Sequence, residues 1–516
     1  MASSSALASN DDDATAPPDL VRFLGSAATE QLANQGASQV WAEVTALAQL
    51  PGVRDLGQGW PDFGASDSAR AAAATAVWGS TDPRSNQYSG IAGRPELLSA
   101  VARYYTSTGM TGVAKSEVLI TTSATEAIYV ALQALCDPGD QVVFLEPFFP
   151  WYFSHCRIFG AVPVTVRMQP AGDGEAGGGF MLDLEALRAA FVKGAGRTKV
   201  YIHNSPHNPT GAVFTREETE AIAALCREFD VVVLADEVYE RCTFSGDGDV
   251  DGDDDRSSGS DGGPAVEVVR MADVHGMRGR TLTIGTSSKL LCLTGWRVGW
   301  MMGPPGIVGA IRTMHAYATF CAPTPLQLGV AAALEEIADE ADSATRAAAR
   351  AAVAAAVEVE LEGKEEASLP PSPGQAKRAA AAAATSCGGA LTADATAAVM
   401  ANNARVLAAA LTDVGLRVFK PRGGYFLVAD VAPLSVGSTG GGEGSSITSV
   451  EYCRQLAHGP AKVAAVPLDV FYDPTSVPPP PTTFVRFAVC KKPETIAAAA
   501  AAIRANPVTA AGAGTS

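Results

Sequence analysis

The sequence predicts an α/β fold: a mostly parallel sheet of seven strands with helices on both faces. Two observations predict it. From about residue 117, short β-rich runs alternate with helical ones, and connections of that length suit parallel strands. The segments that carry chemistry also fall at or just after the C-terminal ends of those runs, where ligands bind in open α/β sheets.

The seven runs are EVLITT (117–122), QVVFLE (141–146), VPVTVR (162–167), KVYIHN (199–204), VVVLAD (231–236), TLTIGT (281–286) and VGWMMG (298–303). A helix is expected from Ser123 to Leu135, opened by a capping box of Ser123 with Glu126. Ahead of the sheet, residues 19–50 read as an amphipathic helix with Trp41 on its apolar side, and 66–78 as an Ala-rich helix. LGQGWPDF (56–63) is a turn in which Gly57 and Gly59 permit close backbone approach. SNQYSGIAGRPEL (85–97) is a loop carrying Tyr88 into a helix that starts near Pro95.

Several segments read as additions to this frame. Residues 1–18 lack the composition of a folded segment. Residues 171–179 are Gly-rich, 245–263 are acidic and of low complexity, and 338–395 are Ala-rich and broken by LPPSPG. Residues 434–447 form a Gly/Ser loop, and VPPPPT (477–482) a stiff connector. Asp247, Asp249, Asp251 and Gly252 imitate the start of an EF-hand loop, but its twelfth position would be Ser258 rather than Glu.

Composition narrows the function classes. The chain has 516 residues, 47% of them hydrophobic, enough for a large core and two domains. A net charge of -17 argues against nucleic acid and anionic membranes as partners. Nine cysteines without C-x-x-C spacing read as reduced core thiols. No apolar run reaches membrane-spanning length. The N-terminus has no apolar signal core, and its three consecutive aspartates argue against a transit peptide, so cytoplasm is the expected compartment. The six histidines form no metal set, and His203 and His207 read as structural.

The stretch TIGTSSKLLCLTGWRVGW (283–300) carries the strongest chemistry. Lys289 directly follows a buried strand, where an amine can shift its pKa and form a Schiff base with a carbonyl compound. Thr286, Ser287 and Ser288 before it and Arg297 after it suit a phosphate. Together they describe a pocket for a phosphorylated aldehyde, of which pyridoxal 5'-phosphate is the obvious one.

Other strand ends add to it. Asp236 closes VVVLAD, with Tyr239 three residues on; the carboxylate either meets a cation such as a pyridinium or caps the next turn. Asn208, in HNPTG, presents an amide or simply makes a tight turn. Ser123, Ala124 and Thr125 open a helix whose free N–H groups can take an anion, or which is merely capped. Phe149, in EPFFPWY, can stack on a flat ring or fill the core. Arg486 sits in the apolar run TFVRFAV, where it grips a substrate carboxylate or makes a structural ion pair. Read jointly, these residues are expected at the strand ends of one sheet around one ligand.

The motifs LGQGWPDF, NQYSGIAGRPEL, EPFF, NSPHNPTGAVF, DEVYE, TLTIGTSSKLLCLTGWRVGW, GGYF, VPLDVFY and VRFAV, in this order from about 41 to 492, resemble the class I/II aminotransferases of fold type I. Within them, the resemblance is to the kynurenine/glutamine transaminase (cysteine-S-conjugate β-lyase) group. It implies that Lys289 holds the cofactor, Asp236 pairs with its ring nitrogen, and Tyr239 and Asn208 meet its phenolic oxygen. Phe149 would stack on the ring. Ala124, Thr125, Thr286 and Arg297 would hold the phosphate, with Tyr88 reaching in from a second subunit of a homodimer. Arg486, Asn208 and the backbone of Gly59 would bind the substrate carboxylate, with Trp41 and the second subunit's Phe320 lining the side-chain pocket.

The resemblance further implies a large cofactor-binding domain, 70–325, and a small domain from 19–69 and 326–516. Departures from the family pattern are Ser123 where glycine is usual, Trp60 where this group has phenylalanine, Arg297 where the animal enzymes have lysine, and the 338–395 segment. The implied reaction is ping-pong transfer of an amino group from an L-amino acid of aromatic, kynurenine, glutamine or methionine type to a 2-oxo acid. The alternative is a β-lyase that cleaves a Cβ–S bond and releases pyruvate and ammonia.

Overall fold

The structure is a computed structural model that describes Thr29 and residues 37–171, 179–244, 268–361, 393–434 and 447–508. The expected disordered terminus 1–18 and the acidic segment 245–263, with its EF-hand-like start, lie outside the described residues. So do 172–178 of the Gly-rich run, 362–392 of the Ala-rich segment and 435–446 of the Gly/Ser loop.

All seven expected strands form, and they form one sheet. They are β1 (Val118–Thr121), β2 (Gln141–Glu146), β3 (Val162–Arg167), β4 (Thr198–Asn204), β5 (Val232–Asp236), β6 (Thr281–Thr286) and β7 (Gly299–Met302). The spatial order is β1-β7-β6-β5-β4-β2-β3. Only β7 runs against its neighbours. Being antiparallel to both β1 and β6, it leaves the C-terminal ends of the other six on one edge, and the site is built along that edge.

Strand periodicity explains the two-sided cover. Val142 and Phe144 of β2 point into one core with helix Ser123–Leu135, while Val143 and Leu145 point into the opposite one with Leu187, Phe191 and Ile222. Both faces are apolar because both are covered, as a parallel sheet requires.

Of the predicted helix 19–50, the described part is α1 (Ala37–Ala48). The Ala-rich helix is α2 (Asp67–Ala74), continued by a π turn at Thr75–Gly79. The helix expected near Pro95 is α3 (Pro95–Ser107), with proline at its first position, where its missing N–H costs nothing. Next come α4 (Ser123–Leu135), α5 (Trp151–Ile158), α6 (Leu184–Gly194), α7 (Arg216–Glu228), the single turn α8 (Ser287–Leu290) and α9 (Pro305–Ala318). Helix α10 (Thr324–Leu361) is long and packs on α2 and α3.

A second sheet, β8 (Arg417–Phe419), β9 (Phe426–Asp430), β10 (Val466–Pro467) and β11 (Phe484–Ala488), has the order β8-β9-β11-β10 and is antiparallel throughout. Its core includes Leu407, Leu427, Phe487 and Ile496. Residues Arg54–Asp55, just before the Gly57–Gly59 turn, pair with Val463–Ala464. The turn is therefore anchored on the same side as the second sheet. Among the described residues, no helix is long and apolar enough to cross a membrane.

Candidate active site

Lys289 stands on α8, directly past the end of β6. The Thr286 hydroxyl accepts a hydrogen bond from the Ser288 amide (3.2 Å), and the Ser287 hydroxyl donates to the Val298 carbonyl (2.8 Å), which pins the turn to the strand beside it. The ammonium donates to the Gly59 carbonyl at 2.7 Å and lies 4.9 Å from the Tyr425 ring centre and 5.7 Å from that of Tyr239. Tyr425 also donates its hydroxyl to the Lys289 carbonyl (2.7 Å). Burial brings the Lys289 pKa down to about 8; the Cys490 thiol opposes that fall and the Arg486 charge adds to it. An amine in that range can both carry and lose a proton near neutrality.

Asp236 ends β5 and is buried. The Tyr152 hydroxyl donates to its Oδ2, while Oδ1 is buried and makes no hydrogen bond among the described residues. Burial raises its pKa to about 6, against the Tyr152 and Val238 donors and the Lys289 charge. A buried carboxylate oxygen without a hydrogen bond calls for an N–H donor. A pyridinium nitrogen supplies such a donor, together with the charge that keeps the acid ionised, so the residues present fit pyridoxal phosphate. Tyr239 is buried beside it, its ring 5.0 Å from Tyr425.

Asn204 is a member of the site that sequence reasoning missed. Its Nδ2 donates to the Asp236 carbonyl (2.8 Å) and its Oδ1 accepts from the Asn208 amide (2.7 Å), so one side chain sets both neighbouring strand ends. Tyr152 was missed too. Its place in EPFFPWY marked it only as an aromatic, and its contact with Asp236 depends on how α5 crosses the sheet.

Arg486 corrects the expectation of a single sheet. It lies in the middle of β11, paired with Val428 and Val466, and reaches the site from the second sheet. It is 2% exposed. Its guanidinium donates to Asn208 Oδ1 (3.2 Å) and the Gly57 carbonyl (3.0 Å), and its Nε has no partner among the described residues. The rings of Phe426, Phe471 and Trp41 surround it at 3.8, 4.8 and 5.5 Å. No carboxylate lies within ion-pair distance of it among the described residues. Burial pulls its pKa down to about 10, against the opposing influence of Tyr239, Cys490 and the Asp55 carboxylate.

The expected phosphate groups converge where β7 passes between β1 and β6. Gly299 is the register partner of both Thr121 and Thr286. A Cβ there would lie 2.7 Å from the Ala124 nitrogen, so only glycine lets the start of α4 settle against the strand. Ala124 and Thr125 occupy the first turn of α4, whose N–H groups have no acceptor inside the helix.

The capping box expected at this helix does not form. Ser123 has φ +79°, so its side chain cannot cap; the Glu126 carboxylate instead takes the Thr122 amide at 2.8 Å. The left-handed backbone explains why glycine suits this position, since glycine adopts that φ without strain; nothing in the structure explains the serine. Arg297 is likewise left-handed (φ +54°) and exposed, and donates to the Thr294 carbonyl (3.0 Å).

The remaining expected residues fall into two groups. Phe149 stacks on Trp151 (4.8 Å, 13°), and Trp151 meets Trp41 at 6.1 Å, giving an aromatic wall beside Arg486. Tyr88 and Phe320 pack edge to face (5.2 Å) on the surface, 83% and 44% exposed. His203 and His207 are buried, and burial takes their pKa values down to about 4 and about 3. Among the described residues no group of His, Cys, Asp and Glu is arranged to hold a metal ion.

Comparison with known proteins agrees with this geometry. The family described as aminotransferase class I and II matches residues 51–362. A probable N-succinyldiaminopimelate aminotransferase of Mycobacterium tuberculosis is 32% identical over 475 residues, covering 89% of this chain and 94% of that protein. Human kynurenine--oxoglutarate transaminase 1 is 37% identical over 298 residues, covering 57% of this chain and 65% of the relative. The solved N-succinyldiaminopimelate aminotransferase of Mycobacterium tuberculosis superposes with a TM-score of 0.68 at 30% identity, over 93% of this chain and 100% of that one.

Proposed function

Since this chain belongs to the class I and II aminotransferases, fold-type-I enzymes that use pyridoxal phosphate to move an amino group from an amino acid to a 2-oxo acid, we propose how its own residues divide that work. The cofactor supplies a carbonyl that takes up the amino group and a ring that draws electrons from the carbon losing its proton. Lys289 would anchor it and, as the free amine, would carry the proton away from the substrate Cα and hand it back. Asp236 Oδ1 would accept the ring N–H, with Tyr152 keeping the carboxylate in place. Tyr239 and Asn208 would meet the phenolic oxygen, and Phe149 would stack on the ring. The Ala124 and Thr125 amides, Thr286 and Arg297 would hold the phosphate.

Arg486, Asn208 and the Gly59 backbone bind the substrate carboxylate. The single observation that carries this reading is the state of Arg486: a buried guanidinium boxed by three aromatic rings, with a free Nε and no carboxylate partner among the described residues. Such a charge is costly unless a ligand completes it. The wall of Trp41, Phe149 and Trp151 beside it favours aromatic or long apolar side chains, which points to donors of the kynurenine, aromatic, glutamine or methionine type.

The chain works as a homodimer in this reading, Tyr88 completing the phosphate site and Phe320 the side-chain pocket of the partner subunit. Their exposure, and that of Trp78 (93%) and Tyr317 (89%), supports such an interface. The larger domain is 70–325 and the smaller 19–69 with 326–516; the second sheet supports the smaller domain, while helix α10 packs on α2 and α3 of the larger one. A cytosolic setting suits the eight free cysteines among the described residues.

The test is an absorbance titration of the loaded protein with single amino acids and no acceptor. The cofactor band should be lost once per site with one 2-oxo acid formed and no ammonia. A band that persists while pyruvate and ammonia accumulate would give the β-lyase reading first place.

A further inference from the structure

Behind the start of α4 lies a hydrogen-bonded histidine–glutamate pair that no catalytic role uses. His315, on α9, is fully buried, and its Nδ1 lies 2.8 Å from Glu126 Oε1. A carboxylate only accepts, so Nδ1 carries the hydrogen. The other oxygen of Glu126 accepts the Thr122 amide at 2.8 Å. Thr319 extends the set, its hydroxyl 3.3 Å from His315 Nδ1 and 3.5 Å from Glu126 Oε1. The His315 carbonyl in turn accepts from the Thr319 (3.0 Å) and Phe320 (3.2 Å) amides, which fixes the left-handed turn at Phe320.

The order of these contacts along the chain matters. Thr122 immediately precedes Ser123, whose φ of +79° sets how the chain enters the first turn of α4 at Ala124 and Thr125. A serine there is strained and needs outside restraint. The Glu126 carboxylate holding the Thr122 amide is one restraint, and Gly299 packed under the Ser123 backbone is the other. Glu126 holds the Thr122 amide with one oxygen, and His315 holds the other oxygen. A carboxylate in the first turn would also repel a bound phosphate; a neighbouring imidazole N–H draws that charge backward.

We propose that His315 and Glu126 are a positioning pair for the cofactor phosphate: they fix the Thr122–Ser123 turn that aims the α4 amides, and they join that turn to the loop carrying Phe320. This rests on the phosphate placement given under Proposed function.

The experiment compares binding of pyridoxal phosphate and of pyridoxal, which lacks the phosphate, to cofactor-free protein by fluorescence titration. The parent chain should prefer the phosphorylated form strongly; a parent without that preference sinks the phosphate placement itself. His315→Ala should weaken pyridoxal phosphate at least tenfold and pyridoxal less than twofold. His315→Asn, which can present an N–H near the Nδ1 position, should recover most of the loss. A parent preference that His315→Ala leaves intact, or an equal loss of both ligands, overturns the pair's role. Should His315→Ala not fold, Thr319→Val makes the same comparison from the edge of the network. A two- to fourfold loss confined to pyridoxal phosphate is then expected, and an unchanged preference overturns the proposal.

Discussion

A half-buried lysine and a buried arginine face the same space and are held in opposite ways. Lys289 comes from the end of a strand in the seven-stranded sheet, and its ammonium has one carbonyl and two tyrosine rings for company. Arg486 comes from the middle of a strand in the four-stranded sheet, with two oxygen acceptors and three rings. Burial lowers both pKa values, yet the outcomes differ. Lys289, at about 8, is poised to lose its proton, whereas Arg486, at about 10, remains charged at any physiological pH. The same desolvation thus makes a base of one group and a fixed anchor of the other, because a guanidinium starts so much higher. Strand ends, where backbone groups are loose, suit a residue that must move; mid-strand positions suit one that must not.

The sharpest way to break this contrast is to remove each cation in turn. Lys289→Ala should lower turnover by at least about 10⁴-fold, since both the anchor and the proton carrier go. Single-turnover kinetics would check it, and appreciable remaining turnover contradicts the assignment. Arg486→Ala should instead act through binding, raising KM for the amino acid by about 100-fold while the cofactor spectrum stays as in the parent, from the loss of a bidentate, charge-assisted contact. An equal loss of bound cofactor would make Arg486 structural.

A gentler probe is pH. In cofactor-free protein the fraction of neutral Lys289 rises tenfold per unit up to about pH 8, so acylation of this amine should level off near there. A midpoint above 10, as for an exposed lysine, would break the comparison. The sign for stability follows: the folded pKa lies below the unfolded one, so the unfolded chain binds the extra proton between about 8 and 10.5. Stability from this group therefore rises with pH across that window. The smallest effect belongs to Ser123→Gly, which should stabilise the fold by roughly 1 kcal/mol by relieving the left-handed backbone, read as a small rise in Tm.

Much of this was legible in the sequence, for local reasons. The seven strands read directly from β-rich runs, three of them residue for residue, because each is short and bounded by turns or helices. Lys289, Asp236 and Asn208 were legible because strand ends are identifiable without knowing the strand order. What was not legible depended on crossing angles and register. The Tyr152–Asp236 contact joins a helix to a strand far along the chain, Arg486 arrives from a sheet whose packing no local pattern encodes, and the serine at φ +79° looked like an ordinary cap. The substitution of serine for glycine was visible; the conformation it had to tolerate was not.

The reversed strand β7 has one more consequence. Because Gly299 pairs with both Thr121 and Thr286, the two walls that face the proposed phosphate are separated by two inter-strand spacings, roughly 10 Å. That gap is ruled by backbone hydrogen bonds, not by side chains. The threonine, serine and arginine side chains around it do not set the width of the opening. The strand works as a gauge block, and its one indispensable dimension is the absence of a methyl group.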